Sequence, residues 1–385
     1  MKRICIVTTV SISVDSWIKP FLLEYHKNNF DVTIVCNMSE EYQTALQKEF
    51  PFVHTHSIPF PRGINVKGSI QSIKALSKFF KAEKFDMVHY STPNASLYAA
   101  IAAKRAKIPV RLYCQWGMVF MAQTGIKRKI FECIERFVCK MSTCVQPDGI
   151  GNLEFCRKNK FYDEAKSTLI WNGSAKGIDL SKYDVSKKAE YAEEIKQKYG
   201  IHDEIVIGFV GRLGGEKGCN ELFQAFQEIQ GTYPKTKLLF VGPIEKPETI
   251  DPKLLEYFYN SSDVIKTGLV TDVERYISAM DIFILPSYRE GFGMSLLEAQ
   301  AMEVPVIATE YPGPSSAMKE KETGLVVPIR DTGAIVEAIK YLVENREKAL
   351  EFGKNGRIWV ENCFDYVKFK EEYMKNRKSL LGLNE

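Results

Sequence analysis

Two glutamates, Glu290 and Glu298, stand eight positions apart in PSYREGFGMSLLEAQAMEVPVIAT, residues 286–309. Between them lie a glycine-bracketed aromatic, Gly291-Phe292-Gly293, and the start of an apolar helix. Glycines free the turn, and the first N–H groups of a helix have no partner inside it. The backbone at Phe292, Gly293, Met294 and Ser295 can therefore face an anion. Glu290 sits on the loop ahead of that anion site, and Glu298 lies inside the helix. Carboxylates accept paired hydrogen bonds from hydroxyls. An anion flanked by two hydroxyl-rich groups describes a nucleotide-sugar: sugar, diphosphate, ribose. Leu296, Leu297, Ala299, Ala301 and Met302 make the helix apolar nearly all round, so Glu298 needs a partner.

A second segment, IGFVGRLGGEKGCNELFQAF, has complementary chemistry. An apolar run ends in Gly211, Arg212 follows, and a glycine-rich turn leads to Lys217 at the opening of a helix. Two cations flanking such a turn can hold a diphosphate, although a plain strand–turn–helix with solvated charges has the same sequence pattern. The segment is not a dinucleotide fingerprint, because G-x-G-x-x-G in register is absent. It is not a P-loop either, because the spacing before Lys217 differs and no Ser or Thr follows it.

These residues must be positioned by regular elements, and the chain supplies an alternating series of them. Short β-rich apolar runs at 4–8, 32–36, 87–90 and 110–114 alternate with helical patterns such as 67–84 and 95–107. The rhythm restarts with runs at 205–210, 238–241, 264–267, 282–285 and 304–308, separated by helical patterns such as 221–230, 295–302 and 332–344. This is α/β alternation: two Rossmann-like, doubly wound domains facing across a cleft, with ligands expected at the strand C-termini. The Gly-, Ser- and charge-rich stretch NGSAKGIDLSKYDVSKKAEYAEE holds the seam. The expected domains are 1–182 and 183–363, with a helix over 364–385 packing back on the first. The N-terminal MKRICIVTTVSISVD imitates a signal peptide, but Thr and Ser break its apolar run and no small-residue cleavage site follows. It reads as a first buried strand.

The 385 residues are 45% hydrophobic, ample for a core in each domain, and no apolar stretch reaches membrane-span length. Nine scattered cysteines without a C-x-x-C pair read as reduced, buried thiols of a cytosolic protein. His54 and His56 share a strand face without a further ligand, and no D-x-D occurs, so no metal site is expected. The net charge of +4 hides an asymmetry: residues 1–180 carry 25 Lys and Arg against 15 Asp and Glu, and the remainder 27 against 33. The basic half is expected to face something anionic.

Taken together, GRLGGEKG and EGFGMSLLE, the latter with an E-x7-E spacing through Glu290 and Glu298, resemble the retaining glycosyltransferases of family 4, with the GT-B fold. MVHYSTPNAS and WNGSAKGID resemble the branch that builds bacterial capsule and O-antigen polysaccharide. The likeness covers nearly the whole chain and is strongest from Gly208 to Pro328. It implies that Arg212 and Lys217 neutralise the donor diphosphate beside Gly211, that Glu290 binds donor-sugar hydroxyls, and that Glu298 binds the ribose. The backbone at Phe292, Gly293, Met294 and Ser295 caps the phosphates, and Leu269 and Val270 meet the base. The resemblance further implies a retaining reaction without a metal or other cofactor, the nucleotide-sugar being a co-substrate. UDP is the expected nucleotide and GDP the alternative. Acceptor contacts are expected from His89, Gln115 and Trp116. Trp116 stands before Gly117 where many members carry histidine, and TVSISVDSW replaces a loop that often has paired glycines.

In the basic half, Lys67, Lys74, Lys78 and Lys81 share one helical face and Ile73, Leu76 and Phe80 the other. VFMAQTGIKRKIFECIERF joins an apolar loop to Lys127, Arg128 and Lys129. Basic faces beside apolar loops attract anionic lipid. The expected setting is the inner face of the cell membrane, approached from the cytoplasm, with a polyprenyl-diphosphate-linked saccharide as acceptor. No nucleic-acid reader pattern is present. Two other readings remain open, a GT-B sugar-nucleotide epimerase and a nucleotide-sugar-binding sensor or scaffold. A dehydrogenase is disfavoured by the missing fingerprint.

Overall fold

Each half of the chain builds a six-stranded, all-parallel sheet. The computed structural model describes residues 1–61 and 65–383. The first sheet holds β1 (Lys2–Val10), β2 (Phe30–Asn37), β3 (Val53–Ser57), β4 (Met87–Tyr90), β5 (Val110–Gln115) and β6 (Cys144–Pro147). The second holds β7 (Ile205–Val210), β8 (Thr236–Val241), β9 (Val264–Lys266), β10 (Ile282–Leu285), β11 (Val306–Thr309) and β12 (Gly324–Val327). The strand orders are β3-β2-β1-β4-β5-β6 and β12-β11-β10-β7-β8-β9. The second is the first repeated and read from the opposite edge. In each, order reverses beside the first strand, between β1 and β4 and between β7 and β10, where doubly wound sheets bind ligands beyond their strand C-termini.

The buried strands carry apolar residues on both faces because helices cover both. Along β1, Cys5 and Val7 enter one core while Ile4 and Ile6 enter the other. The N-terminal apolar run is thus a buried strand. The compact units are Met1–Lys176 with Val367–Glu385, and Gly177–Tyr366. The helix Tyr366–Leu380 returns to the first unit. There Tyr373 stacks on Phe21 with ring centroids 4.1 Å apart, and its hydroxyl lies 2.9 Å from that of Tyr25. Arg377 of the same helix is fully buried. It donates to Gln146 Oε1 at 2.7 Å and lies over the Tyr373 ring at 4.0 Å. Of the helix expected over 364–385, positions 384 and 385 lie outside the described residues.

Three strands were not among the runs read as strands: β3, β6 and β12. The apolar run of β6 is cut short by Gln146 and Pro147, β12 opens on Gly324, and β3 carries His54 and His56 on an edge. Among the described residues no cysteine is in a disulfide, and Cys133 alone is exposed. Among the described residues, no helix is long and apolar enough to cross a membrane.

Candidate active site

The strongest gathering of functional groups lies in the second unit, beyond the C-terminal ends of β7 and β10. The chain leaves β7 at Gly211, whose N–H donates to Val241 O at 2.9 Å. It then turns through Leu213, Gly214 and Gly215 into a short turn, Gly215–Lys217, ahead of the helix Cys219–Thr232. Gly218 joins the two with φ +71°, a conformation that disfavours any side chain. A Cβ there would also lie 2.1 Å from the carbonyl oxygen of Pro286, the first residue after β10. Close backbone approach therefore clamps the β7 loop onto the β10 loop. Two further hydrogen bonds reinforce it: Ser287 Oγ and Tyr288 N both donate to Glu216 O at 3.2 Å.

This clamp sets Lys217 against Glu290. Lys217 Nζ lies 2.6 Å from Glu290 Oε1, and each side chain is only 16% exposed. Arg212 stands alongside, donating to Glu245 at 2.7 Å and lying 3.4 Å from Glu216. Burial works against the Arg212 charge, but Glu245, Glu216 and Glu290 outweigh it and raise its pKa. Glu216, which the sequence reading did not single out, is the hub. Its carboxylate lies 2.9 Å from Arg289 and 3.4 Å from Lys246 as well as from Arg212. Burial pushes its carboxyl up, yet Arg289, Lys246 and Arg212 together hold it below the ordinary glutamate value.

The loop after Glu290 enters the helix Met294–Ala301 through Gly293, at φ +98°. No acidic residue occupies the first turn, and no side chain caps it, so the turn that could receive an anion carries no competing carboxylate. Met294 and Ser295 are half-buried at the helix start. Phe292 points into the core instead, 2% exposed, with its ring edge-on to Phe364 at 5.5 Å, so only its backbone can serve the site. Glu298 has its partner in Tyr183, a buried phenol whose pKa is driven up by burial and then by the facing Glu298 carboxylate. That pairing spans the seam segment and the helix and is invisible to local pattern.

Leu269 and Val270 follow β9 on the same edge of the sheet. Leu269 is 78% exposed, and the turn before it is tied to β8 by Gly242 N donating to Gly268 O at 3.0 Å. The second unit thus gathers Gly211, Arg212, Lys217, Glu290, Gly293, Met294, Ser295 and Glu298 around one pair of strand ends, with Leu269 and Val270 further along that edge. The chemistry available is charge neutralisation of a departing anion, with carboxylates beside it to accept from hydroxyls. Among the described residues, no three His, Cys, Asp or Glu side chains come together as metal ligands.

His89, Gln115 and Trp116 belong to the first unit. His89 is the penultimate residue of β4, is 1% exposed, and neither ring nitrogen has a hydrogen-bond partner. Burial, helped by the Arg377 charge, keeps its pKa well below the ordinary value. Gln115 is fully buried and engaged: its amide donates to Glu135 Oε1 at 2.6 Å and its oxygen accepts from the Tyr162 hydroxyl at 3.1 Å. Such a saturated amide supports β5 rather than offering a free contact. Trp116 is half-buried, edge-on to His89 at 6.2 Å and tilted against Trp17 at 6.0 Å.

Comparison with known proteins accords with this geometry. The family described as "Glycosyl transferases group 1" matches residues 192–359, and that described as "Glycosyl transferase 4-like" matches residues 3–147. The capsular polysaccharide biosynthesis glycosyltransferase CapM of Staphylococcus aureus is 31% identical over 340 residues, covering 88% of this chain and 87% of that protein. The UDP-Gal:alpha-D-GlcNAc-diphosphoundecaprenol alpha-1,3-galactosyltransferase of Escherichia coli is 26% identical, covering 88% and 86%. Among solved structures, Anabaena HepE in complex with UDP and glucose superposes with a TM-score of 0.77 at 16% identity, covering 98% of this chain and 100% of that one. The likeness to HepE is one of fold, while the family matches and the similarity to CapM run through both halves of the sequence. This chain belongs to the glycosyltransferases of family 4, with the GT-B fold.

Proposed function

We propose that this protein is a retaining, metal-independent hexosyltransferase of surface polysaccharide synthesis. It moves a sugar from a nucleotide-sugar, UDP-linked, to a hydroxyl of a polyprenyl-diphosphate-linked oligosaccharide. It works on the cytoplasmic side, peripheral to the inner face of the cell membrane. The observation that carries this reading is the Lys217–Glu290 pair, 2.6 Å apart and mostly buried, beside a helix start with no acidic residue in its first turn. A largely buried ion pair adds little net stability once desolvation is counted. Its two members are, however, the charges a sugar diphosphate needs, a cation for phosphate and a carboxylate for sugar hydroxyls. The Escherichia coli relative, whose name specifies UDP-Gal and a diphosphoundecaprenol-linked sugar, supports the choice of donor and acceptor class.

In this mechanism the arriving diphosphate draws Lys217 and Arg212 from Glu290 and Glu245, and the N–H groups at Gly293, Met294 and Ser295 meet its oxygens. Glu290, released, accepts from the donor sugar, and Glu298, oriented by Tyr183, accepts from the ribose. Leu269 and Val270 border the base. The bond between the anomeric carbon and the diphosphate oxygen breaks as the acceptor oxygen attaches on the same face. The acceptor proton passes to a donor phosphate oxygen, so no protein base is required. Charge stabilisation of the leaving diphosphate supplies most of the rate.

The test is a panel of UDP- and GDP-sugars assayed for nucleotide release with a polyprenyl-diphosphate sugar, in EDTA, with NMR of the product anomer. Acceptor-dependent release of UDP with the anomeric configuration kept supports the proposal. Isomerisation of the donor without acceptor points to an epimerase, and tight binding without turnover to a sensor. An inverted product, or restoration of activity by divalent cations alone, refutes the corresponding part. Glu290→Ala should abolish transfer while UDP still binds.

A further inference from the structure

The second unit holds a cavity at the end of its sheet opposite the charged loops. Its volume is about 290 Å³, roughly twice that of an engineered apolar cavity that holds benzene. Ile205 stands at the foot of β7, Met280 and Ile282 at the foot of β10, and Pro305 just ahead of β11. Leu342 and Leu350 close the walls from the helices Thr332–Glu344 and Arg346–Cys363. Backbone contacts fix these walls. Glu303 turns the chain towards β11 at φ +53°, and a Cβ at Gly353 would lie 2.4 Å from the Glu303 carbonyl oxygen, so the helix Arg346–Cys363 sits directly against that turn. The Asp281 carboxylate accepts from Val206 N at 2.8 Å and ties the feet of β7 and β10 together.

The charged groups lining this apolar space are three cations and two carboxylates: Lys188, Lys196, Arg346, Asp281 and Glu303. Lys188 Nζ donates to a backbone carbonyl, Glu303 O, at 2.9 Å, and makes no ion pair among the described residues. Burial lowers its pKa, and the Glu303 and Asp281 carboxylates offset that only in part. Arg346 reaches Asp281 at 3.8 Å. Lys196 has neither an ion pair nor a side-chain hydrogen bond among the described residues. Lys188 and Arg346 each open a helix, Lys188–Tyr199 and Arg346–Cys363. A positive charge is unfavourable there, so these two cations do not serve their own helices. Two carboxylates answer two of the three cations and leave one positive charge over.

We infer that this cavity binds a small monoanionic amphiphile, an organic acid whose apolar body lies among Met280, Leu342 and Leu350 while its carboxylate meets Lys188 and Lys196. An uncharged apolar ligand would leave the ammonium groups without an acceptor, and a bare anion would leave the apolar walls wet; a molecule with both parts answers both. A phosphate monoester carries nearly two negative charges and overshoots the one charge available. The site is distinct from the transferase site proposed above, because it lies at the strand starts and Lys217 and Glu290 follow the strand ends. Occupied, it joins the helix Lys188–Tyr199 to the helix Arg346–Cys363, so a bound ligand should stabilise the second unit.

The experiment is calorimetric titration of the full chain with octanoate, against octanol, acetate and octyl phosphate, with melting temperatures followed in parallel. Octanoate should bind at one equivalent and raise the melting temperature. Octanol and acetate should bind at least about tenfold more weakly, since each lacks one half of the match. Lys188→Met and Lys196→Gln should each weaken octanoate by about tenfold. Lys196 is half-buried and unpaired, so its variant tests the charge without disturbing the core. A diazirine-bearing octanoate gives a readout that needs no variant: on irradiation it should label peptides containing Met280 or residues 342–350. Absence of saturable binding at millimolar octanoate overturns the inference. So do octanol or octyl phosphate binding as tightly as octanoate, undiminished binding in both lysine variants, or label confined to other peptides.

Discussion

The two sheets share one strand order, yet their reversal points are chemically opposite. Beyond β7 and β10 the loops present Arg212, Lys217 and Arg289 against Glu216, Glu245 and Glu290, a set of charges held in pairs that can be exchanged. At the ends of β1 and β4 themselves the described groups are neutral, the ion pairs Lys19–Asp15 and Lys19–Glu49 lying further along the helices that follow β1 and β2. His89 is buried and unpartnered, and Ser91 Oγ is likewise buried without a hydrogen bond. Thr92 adopts φ +67°, held by a 2.7 Å contact between its hydroxyl and that of Thr9. A β-branched residue in the left-handed region is strained, and such strain persists only where neighbours enforce it. The lesson is that one scaffold serves two tasks through its loops. The charged end suits an anion that must leave, and the neutral, aromatic end suits a ligand held without a change in charge.

The largest test of that contrast is Lys217→Ala. In the mechanism proposed above Lys217 stabilises the leaving diphosphate, and its removal should then lower kcat by roughly a thousandfold, read as acceptor-dependent nucleotide release. A loss below tenfold would erase the functional asymmetry between the two ends. Next comes the clamp. Gly218→Ala places a methyl 2.1 Å from Pro286 O at φ +71°, and should destabilise the protein by about 3 kcal/mol in urea unfolding. An unaltered midpoint would mean that the two loops can part freely.

The neutral end predicts a smaller, pH-dependent effect. Folding depresses the His89 pKa below its ordinary 6.5, so the unfolded chain binds the extra proton. Stability is therefore unaffected above pH 6.5 and falls by about 1.4 kcal/mol per unit as pH drops below it. His89→Phe should remove that slope between pH 6.5 and 5, as followed by thermal melts. The charged end predicts a dependence of the same sign in a more acidic window. The Glu216 pKa lies below its ordinary 4.5, so its contribution is complete above pH 4.5 and disappears as pH falls through the lowered value. Glu216→Gln should flatten that acid limb by less than about 1 kcal/mol, because the cluster is partly solvated.

The sequence made the architecture legible wherever a buried strand carried a mainly apolar run with neither Gly nor Pro at its ends. β4, β7 and β10 coincide with runs of apolar residues, and the helices after β7 and β10 announce their starts through glycines. The site was legible for the same reason: Lys217 and Glu290 sit on loops tied to those strands, so strand ends alone bring them together. What stayed hidden depended on partners distant in sequence. Nothing local marks Tyr183 as the companion of Glu298, or Glu216 as the anchor of three cations. Gln115 offered the reverse case. Its position at a strand end resembles that of a ligand contact, but Glu135 and Tyr162 from other elements occupy it.

The return of the helix Tyr366–Leu380 orders events during synthesis. The second unit is one continuous stretch, Gly177–Tyr366, and every residue of its core is synthesised before that helix. The first unit waits with Phe21 and Tyr25 lacking their aromatic partners until Tyr373 and Arg377 arrive. A chain truncated just after Tyr366 should thus keep a folded second unit and an open-sided first one, and chaperone binding should concentrate on that earlier-made half.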